Sequence, residues 1–227
     1  PSSPFIYGLY RIFQGRLIMN GGRLKDESDK LSPIDNKYLD KIIRAAYSMN
    51  VLIEDILQYS QIAVGKIEHE KVCLNQLVEE IKEQLEDLIE GSKGTLIFKN
   101  LPRIEGSKSQ LYQLFLNLIK NGFKFRRADT PPVVTLGCIE NGNNTWKISV
   151  ENNGIGFDDK YSKKIFEPFQ RLNPQGEFEG SGVGLAICEK IVMRHGGTIR
   201  AYGKLGEAAK FVVEWPREFS NFSLEPK

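Results

Sequence analysis

At 227 residues, the chain has room for one large domain or two smaller ones. A hydrophobic share of 41%, a charged share of 26% and a formal net charge of +2 fit an ordinary soluble globular protein and give no reason to expect nucleic acid or an anionic membrane as partner. No apolar run reaches the roughly 20 residues that cross a bilayer, no basic-then-apolar start reads as a secretion signal, and the scattered Cys73, Cys138 and Cys188 read as reduced core residues of a cytosolic protein, not a disulfide frame or metal set.

In chain order, Phe5, Leu9, Ile12, Phe13, Leu17 and Ile18 recur at helical spacing over 4–20, and Asn20-Gly21-Gly22 ends the pattern. A charged loop, 23–30, leads to Ser32-Pro33, a cap and first turn for a second helix. Its apolar positions are Leu39, Ile42, Ala46, Met49, Ile53 and Ile56, which step by three and four. Two such helices cannot bury stripes this broad alone, so the hairpin is expected to dimerise into a four-helix bundle. Gly65 breaks the helix. A short strand over 66–72 and a helix from Leu74 to Leu88 follow, the helix facing inward through Leu77, Ile81, Leu85 and Leu88. Strands are expected over 95–99 and 101–104, and a helix over 110–124. The strands 133–139 and 145–151 flank an Asn-Gly hairpin turn. A helix over 159–166, a polar mobile loop over 170–180, a helix over 183–194 closed by His195-Gly196-Gly197, and strands over 198–202 and 209–215 complete the pattern, before a polar tail. The fold class expected is α+β, with a helical hairpin over 1–64, an α/β sandwich with helices on one face of a mixed sheet over 65–216, and a tail over 217–227.

Four patches of the second unit share one chemistry. Asn117 and Asn121 lie four apart, so their amides leave one face of one helix, and an amide oxygen is a hard neutral ligand suited to Mg²⁺ held mostly by phosphate and water. Lys124, one turn on, can meet phosphate as a point charge. Asn152-Asn153-Gly154-Ile155-Gly156 follows a strand, where bare backbone admits a flat ligand and a polar side chain can bond a base edge. Phe166-Glu167-Pro168-Phe169 anchors the loop that follows. Gly180, Gly182 and Gly184 then run into a helix at Leu185, and a glycine-lined helix start suits a phosphate chain.

NLIKNGFKF, ENNGIGF, IFEPFQRL and GSGVGLAICEKIVMRHGG resemble the N, G1, F and G2 boxes of sensor histidine kinases, especially the phytochrome-like group. DILQYSQI resembles the end of the second helix of their dimerisation and phosphotransfer domain. The resemblance implies a Bergerat-type ATP-binding fold with ATP and Mg²⁺ as cofactors. It implies that Asn121 holds Mg²⁺ with Asn117 and Lys124 nearby, that Gln113 assists catalysis, that Asn152 sits at the adenine, and that 170–181 forms a lid over the phosphates, with Phe169, Gly154, Gly156 and the 180–185 run around the nucleotide. His195 reads as a structural residue at a helix end, and Gly122 stands where the family often has Ala.

Two departures bear on function. The family has Asp where this chain has Asn152, and loss of the charge-assisted bond to the adenine amino group is expected to weaken ATP binding by roughly 1–3 kcal/mol. Laying the hairpin on the family's acceptor stretch puts Ser3 on the phosphoacceptor histidine and Pro4 on its acidic neighbour, and no histidine occurs within 1–68. A serine would hold phosphate as a far more stable ester, so ordinary autophosphorylation should fail. The resemblance thus implies a cytoplasmic homodimer in two-component signalling that binds Mg-ATP and docks a response-regulator receiver domain, with no nucleic acid and no membrane as partners of this stretch. It leaves open whether the chain is an enzyme: a trans-acting kinase for a partner's histidine, a nucleotide-independent pseudokinase scaffold, or, more weakly, a serine kinase of the wider Bergerat class.

Overall fold

A computed structural model describes residues 32–62, 69–142, 144–172, 178 and 180–217. The expected first helix, Ser3, Gly65, much of the 170–180 loop and the tail lie outside these residues. Contacts divide the chain into two compact units, one ending at Leu57 and the other beginning at Gln58.

Helix α1 spans Pro33–Ile62 and starts where the Ser-Pro pair predicts. Ser32 and Asp35 cap it reciprocally: the serine hydroxyl accepts the Asp35 N–H at 3.2 Å, and the carboxylate accepts the Ser32 N–H at 3.2 Å. Of its apolar stripe, Ala46 is buried, Leu39 and Ile53 are half-buried, and Ile42, Met49 and Ile56 are exposed.

The second unit is a five-stranded mixed sheet. Its order is β2 (Thr95–Phe98), β4 (Val133–Asn141), β5 (Thr145–Asn152), β7 (Ala208–Pro216) and β6 (Thr198–Lys204). β2 runs parallel to β4 and all other neighbours are antiparallel. A separate antiparallel pair joins β1 (Glu70–Cys73) to β3 (Arg103–Gly106). Alternate residues on each central strand are buried, such as Val134 and Leu136, Ile148 and Val150, and Phe211, Val213 and Trp215. This is the period-2 signature of a sheet with one covered face. Three amphipathic helices supply the other half of that core: α2 (Leu74–Gln84), α4 (Lys108–Lys124) and α5 (Gly184–Arg194). In α4, Leu111, Leu114, Phe115, Leu118, Ile119 and Phe123 all point inward.

Three expectations are corrected. The helix begun at Leu74 breaks at Leu85, whose N–H is shared between the carbonyls of Ile81 and Lys82, and resumes as α3 (Glu86–Gly91). Leu85 stays buried at the break, and Leu88 and Ile89 pack against the core beyond it. The strand placed at 101–104 lies at 103–106, because Asn75 holds Leu101 by both its carbonyl, at 3.0 Å, and its N–H, at 3.3 Å. The helix placed at 159–166 is two short 3₁₀ turns, Asp159–Tyr161 and Lys164–Phe166, the first capped by Asp158.

α4 and α5 run antiparallel and are tied at three levels. His195, fully buried at the end of α5, accepts the N–H of Ser107 at the start of α4 through Nε2 at 3.2 Å. Its Nδ1 carries the proton and donates to the Ile191 carbonyl at 2.8 Å. The Cys188 thiol faces the Leu114 carbonyl at 3.7 Å, and the Asn117 amide donates to the Gly184 carbonyl at 3.2 Å. Trp215 of β7 lies tilted with its ring 4.7 Å from that of His195 and donates its indole N–H to the Glu105 carbonyl of β3 at 3.0 Å. Lys190 donates to the Tyr59 carbonyl at 2.7 Å and Arg194 to that of Ile62, so α5 supplies basic caps to the carbonyl end of α1.

Gly122 marks a close approach of α4 to the sheet. A Cβ there would lie 2.5 Å from Cγ2 of Val134, which is fully buried and, being β-branched, has little freedom to swing away. Gly122→Ala is expected to cost about 1–3 kcal/mol in urea unfolding. Adding Val134→Ala should return part of that loss, so the double variant is more stable than the two single effects summed. Burial, with the nearby His69 and Arg194 charges, holds the His195 imidazole down at about 4, against 6.5 ordinarily. The unfolded chain then binds the extra proton first, so this contribution to stability is complete above pH 6.5 and is lost as pH falls toward 4, by about 3 kcal/mol at most. His195→Gln should flatten that part of the stability–pH curve.

Candidate functional site

The polar edge of α4 carries Gln113, Asn117, Asn121 and Lys124, spaced by four, four and three, so they form one row. Gln113 donates to Asn117 at 3.5 Å, and Asn117 donates in turn to the carbonyl of Gly184, the first residue of α5. A Cβ on Gly184 would lie 3.7 Å from the Asn117 amide. At the other end of the row, a Cβ on Gly180 would lie 2.7 Å from the Lys124 ammonium, which also sits 4.5 Å from the Phe125 ring centroid. The structure therefore brings the α4 row and the glycine run together. Between them Asn121 is half-buried, and its side chain makes no hydrogen bond among the described residues.

Gly182 turns the chain into α5 at φ +79°, a conformation that glycine adopts without strain. A Cβ there would lie 3.0 Å from the Gln170 carbonyl and 3.1 Å from the Phe169 backbone, which puts the end of the FEPF segment against the glycine run. The two phenylalanines of that segment part company: Phe166 is 4% exposed and belongs to the core, whereas Phe169 is 55% exposed and holds a left-handed φ of +64°. Leu185 is half-buried in the first turn of α5. The opening N–H groups of that helix and its positive dipole end lie where Lys124 and Asn117 arrive.

Asn152 ends β5 and is 6% exposed. Its Oδ1 accepts the Gly154 N–H at 3.0 Å, an Asx turn that folds the loop back. Its Nδ2 makes no hydrogen bond among the described residues. The side chain adjoins α4, since a Cβ on Gly122 would lie 3.3 Å from that of Asn152; Asn152 thus packs against the residue that follows Asn121 on the helix. The bareness of Gly154 and Gly156 is accounted for by the chain itself. A Cβ on Gly154 would lie 2.3 Å from the Phe125 carbonyl, and one on Gly156 would lie 2.0 Å from that of Lys204. The sequence reading missed Asn153, whose amide accepts the Val133 N–H at 2.7 Å and donates to the Pro131 carbonyl at 3.0 Å. The signal was present in the doubled asparagine after a strand, where a side chain can bridge to the start of its neighbour.

Among the described residues, no group of three His, Cys, Asp or Glu is placed to hold a metal. Among the described residues, the side chains that meet here are neutral amides and one lysine; the lysine and the helix start can meet an anion, and a hard cation would depend on amide oxygens and on oxygens that the anion brings. Such a group fits the Lys124 and α5 end of the site. His195 lies at the opposite end of α5 from Gly184 and takes no part. The Cys188 thiol is pushed up to about 12 by burial and is inert. A surface groove of about 740 Å³ beside α2, lined by Glu79, Glu80, Glu83 and Phe98 among others, includes none of the site residues.

Residues 106–218 match the family of histidine kinase-, DNA gyrase B-, and HSP90-like ATPases. Cyanobacterial phytochrome A of Nostoc sp. is 34% identical over 83% of this chain and 24% of its own length. The adaptive-response sensory kinase SasA of Prochlorococcus marinus is 30% identical over 86% of this chain and 54% of its own. The chain spans about a quarter of the phytochrome relatives. In fold it is similar to full-length ShkA in complex with AMPPNP (TM-score 0.70, 22% identity, 97% of this chain and 47% of that one). It is also similar to the histidine kinase ThkA in complex with the response regulator TrrA (TM-score 0.65, 22% identity, 95% and 62%). The catalytic domain of ThkA is 25% identical at a TM-score of 0.56, over 66% of this chain and 98% of that one. The glycine entrance to α5, the amide row on α4, the mixed sheet beneath them and these relatives agree: the chain belongs to the sensor histidine kinases.

Proposed function

We propose that the chain is a two-component signalling protein whose second unit binds Mg-ATP between α4, the end of β5 and the entrance to α5. The observation that carries this reading is the meeting of the Lys124 ammonium with Gly180 and of the Asn117 amide with Gly184, at a helix start that attracts phosphate. Asn121, in the same row and with no side-chain hydrogen bond among the described residues, would hold Mg²⁺ together with phosphate oxygens. Gln113 orients Asn117, and Asn152 faces the base. Phe169 and the glycines from 180 to 184 border the lid, and Leu185 follows them into α5. When bound, the nucleotide supplies the transferable phosphate; the chain's own part is to position it and to balance its charge.

The helical unit, assigned to 1–64, is proposed as a homodimer that docks a receiver domain, with the ATP-binding unit over 65–216 and a tail over 217–227. The heptad-spaced exposure of Ile42, Met49 and Ile56 supports a partner helix. The ThkA complex with its response regulator supports receiver docking. With Ser3 at the acceptor position, the chain does not autophosphorylate in the ordinary way and acts either on a partner's histidine or as a docking scaffold. A cytoplasmic location goes with this reading, and no helix among the described residues is long and apolar enough to cross a membrane.

Calorimetric titration with Mg-ATP is expected to show binding between micromolar and sub-millimolar, weakened about tenfold or more in Asn121→Ala. Absence of heat at high nucleotide, in protein shown to be folded, would leave only the scaffold reading. Ser3→His with Pro4→Asp should begin to incorporate label from γ-labelled ATP, while the parent chain incorporates none. A double variant that binds ATP and stays unlabelled would rule out this alignment of the hairpin or the competence of the site.

A further inference from the structure

Asn152 combines two properties at this site: it is more than nine-tenths buried, and its Nδ2 has no hydrogen bond among the described residues. The way its amide points is not arbitrary. The Gly154 N–H can only donate, so the atom facing it at 3.0 Å must be Oδ1. Flipping the amide would set two donors against each other and break the Asx turn. The group left to face the site is therefore NH₂, which donates and cannot accept.

We propose that Asn152 tunes the site toward 6-oxopurine nucleotides, those of hypoxanthine or guanine, in preference to adenine. The proposal rests on the reading above, in which Asn152 faces the base. The 6-position of adenine carries an NH₂ donor, and that of a 6-oxopurine carries an oxygen acceptor. Against the outward amide of Asn152, adenine sets donor on donor, and the bound base would cover both and leave them unpaired. A 6-oxopurine gives the amide the partner it lacks. Sites that hold a buried polar group discriminate strongly when one ligand leaves it unpaired, and weakly when both ligands satisfy it. A carboxylate in place of Asn152 would reverse the polarity: one oxygen keeps the Gly154 N–H and the other accepts from the adenine amino group.

The test is a calorimetric comparison of Mg-ITP with Mg-ATP, which differ only at the 6-position and the adjoining N1. The chain is expected to bind ITP about tenfold or more tighter than ATP. Asn152→Asp, which preserves the turn to Gly154, is expected to invert that order. Equal affinities, or tighter ATP, in the unaltered chain would overturn the proposal and mean that Oδ1 serves Gly154 and the base together. An Asn152→Asp variant with unchanged preference would overturn it as well, by showing that Asn152 serves the turn alone. In both cases the nucleotide-site reading stands if binding is still weakened in Asn121→Ala. Binding of neither nucleotide to either folded protein would overturn that reading, and this one with it.

Discussion

The antiparallel packing of α4 on α5 is the contact through which the rest of the site is placed. Three polar ties fix its register: His195 to Ser107, Cys188 to Leu114, and Asn117 to Gly184. Each lies against a fully buried apolar wall, so sliding by one turn would unpair buried donors as well as unpack side chains. Because the register is held at the far end by a neutral, inaccessible imidazole, the near end brings Asn121 and Lys124 up to the glycine run in a fixed position. The helix pair thus separates stability from binding along its length.

What meets at that near end is low in charge. Among the described residues, one ammonium, backbone N–H groups at a helix start and amide side chains form the surroundings. Amides bind without the desolvation cost of a buried ion, and each is both donor and acceptor, so orientation decides what they recognise. At Asn117 the orientation is set by the Gly184 carbonyl, and at Asn152 by the Gly154 N–H. The chain's own backbone has chosen the polarity that a ligand will find.

The helices α4 and α5, the strands of the central sheet and the Asn-Gly hairpin were legible in the sequence because each follows a short-range rule: a 3.6 or 2.0 period, with a cap or a turn residue at its end. The candidate row on α4 was legible for the same reason. What could not be read depends on distant contacts. Leu85 looks like one more step of a regular stripe, and only the core it enters explains the break there. Phe166 and Phe169 have similar sequence surroundings, yet one enters the core and the other stands out of it. Gly122 looked like a minor departure until Val134 was found occupying the space that a methyl group would need. The glycines of the 154–156 loop fit a ligand-approach reading equally well from sequence, and only the carbonyls of Phe125 and Lys204 reveal what they make room for.

The sheet order has a consequence for how the site comes into being. β4 and β5 close as a local hairpin, as do β6 and β7, but β5 meets β7 only after the whole stretch from Asn153 to Glu207 has been looped out. Closing a loop of that length has an entropic cost that must be met before the central pairing returns anything. That stretch holds the Asn152 turn's glycines, the FEPF segment, the glycine run and α5. The binding elements are therefore carried on the arch between two local hairpins, and their geometry depends on the long-range pairing of β5 with β7. Without the joining of β5 to β7 the two ends of the arch would not be held together, and no site would form.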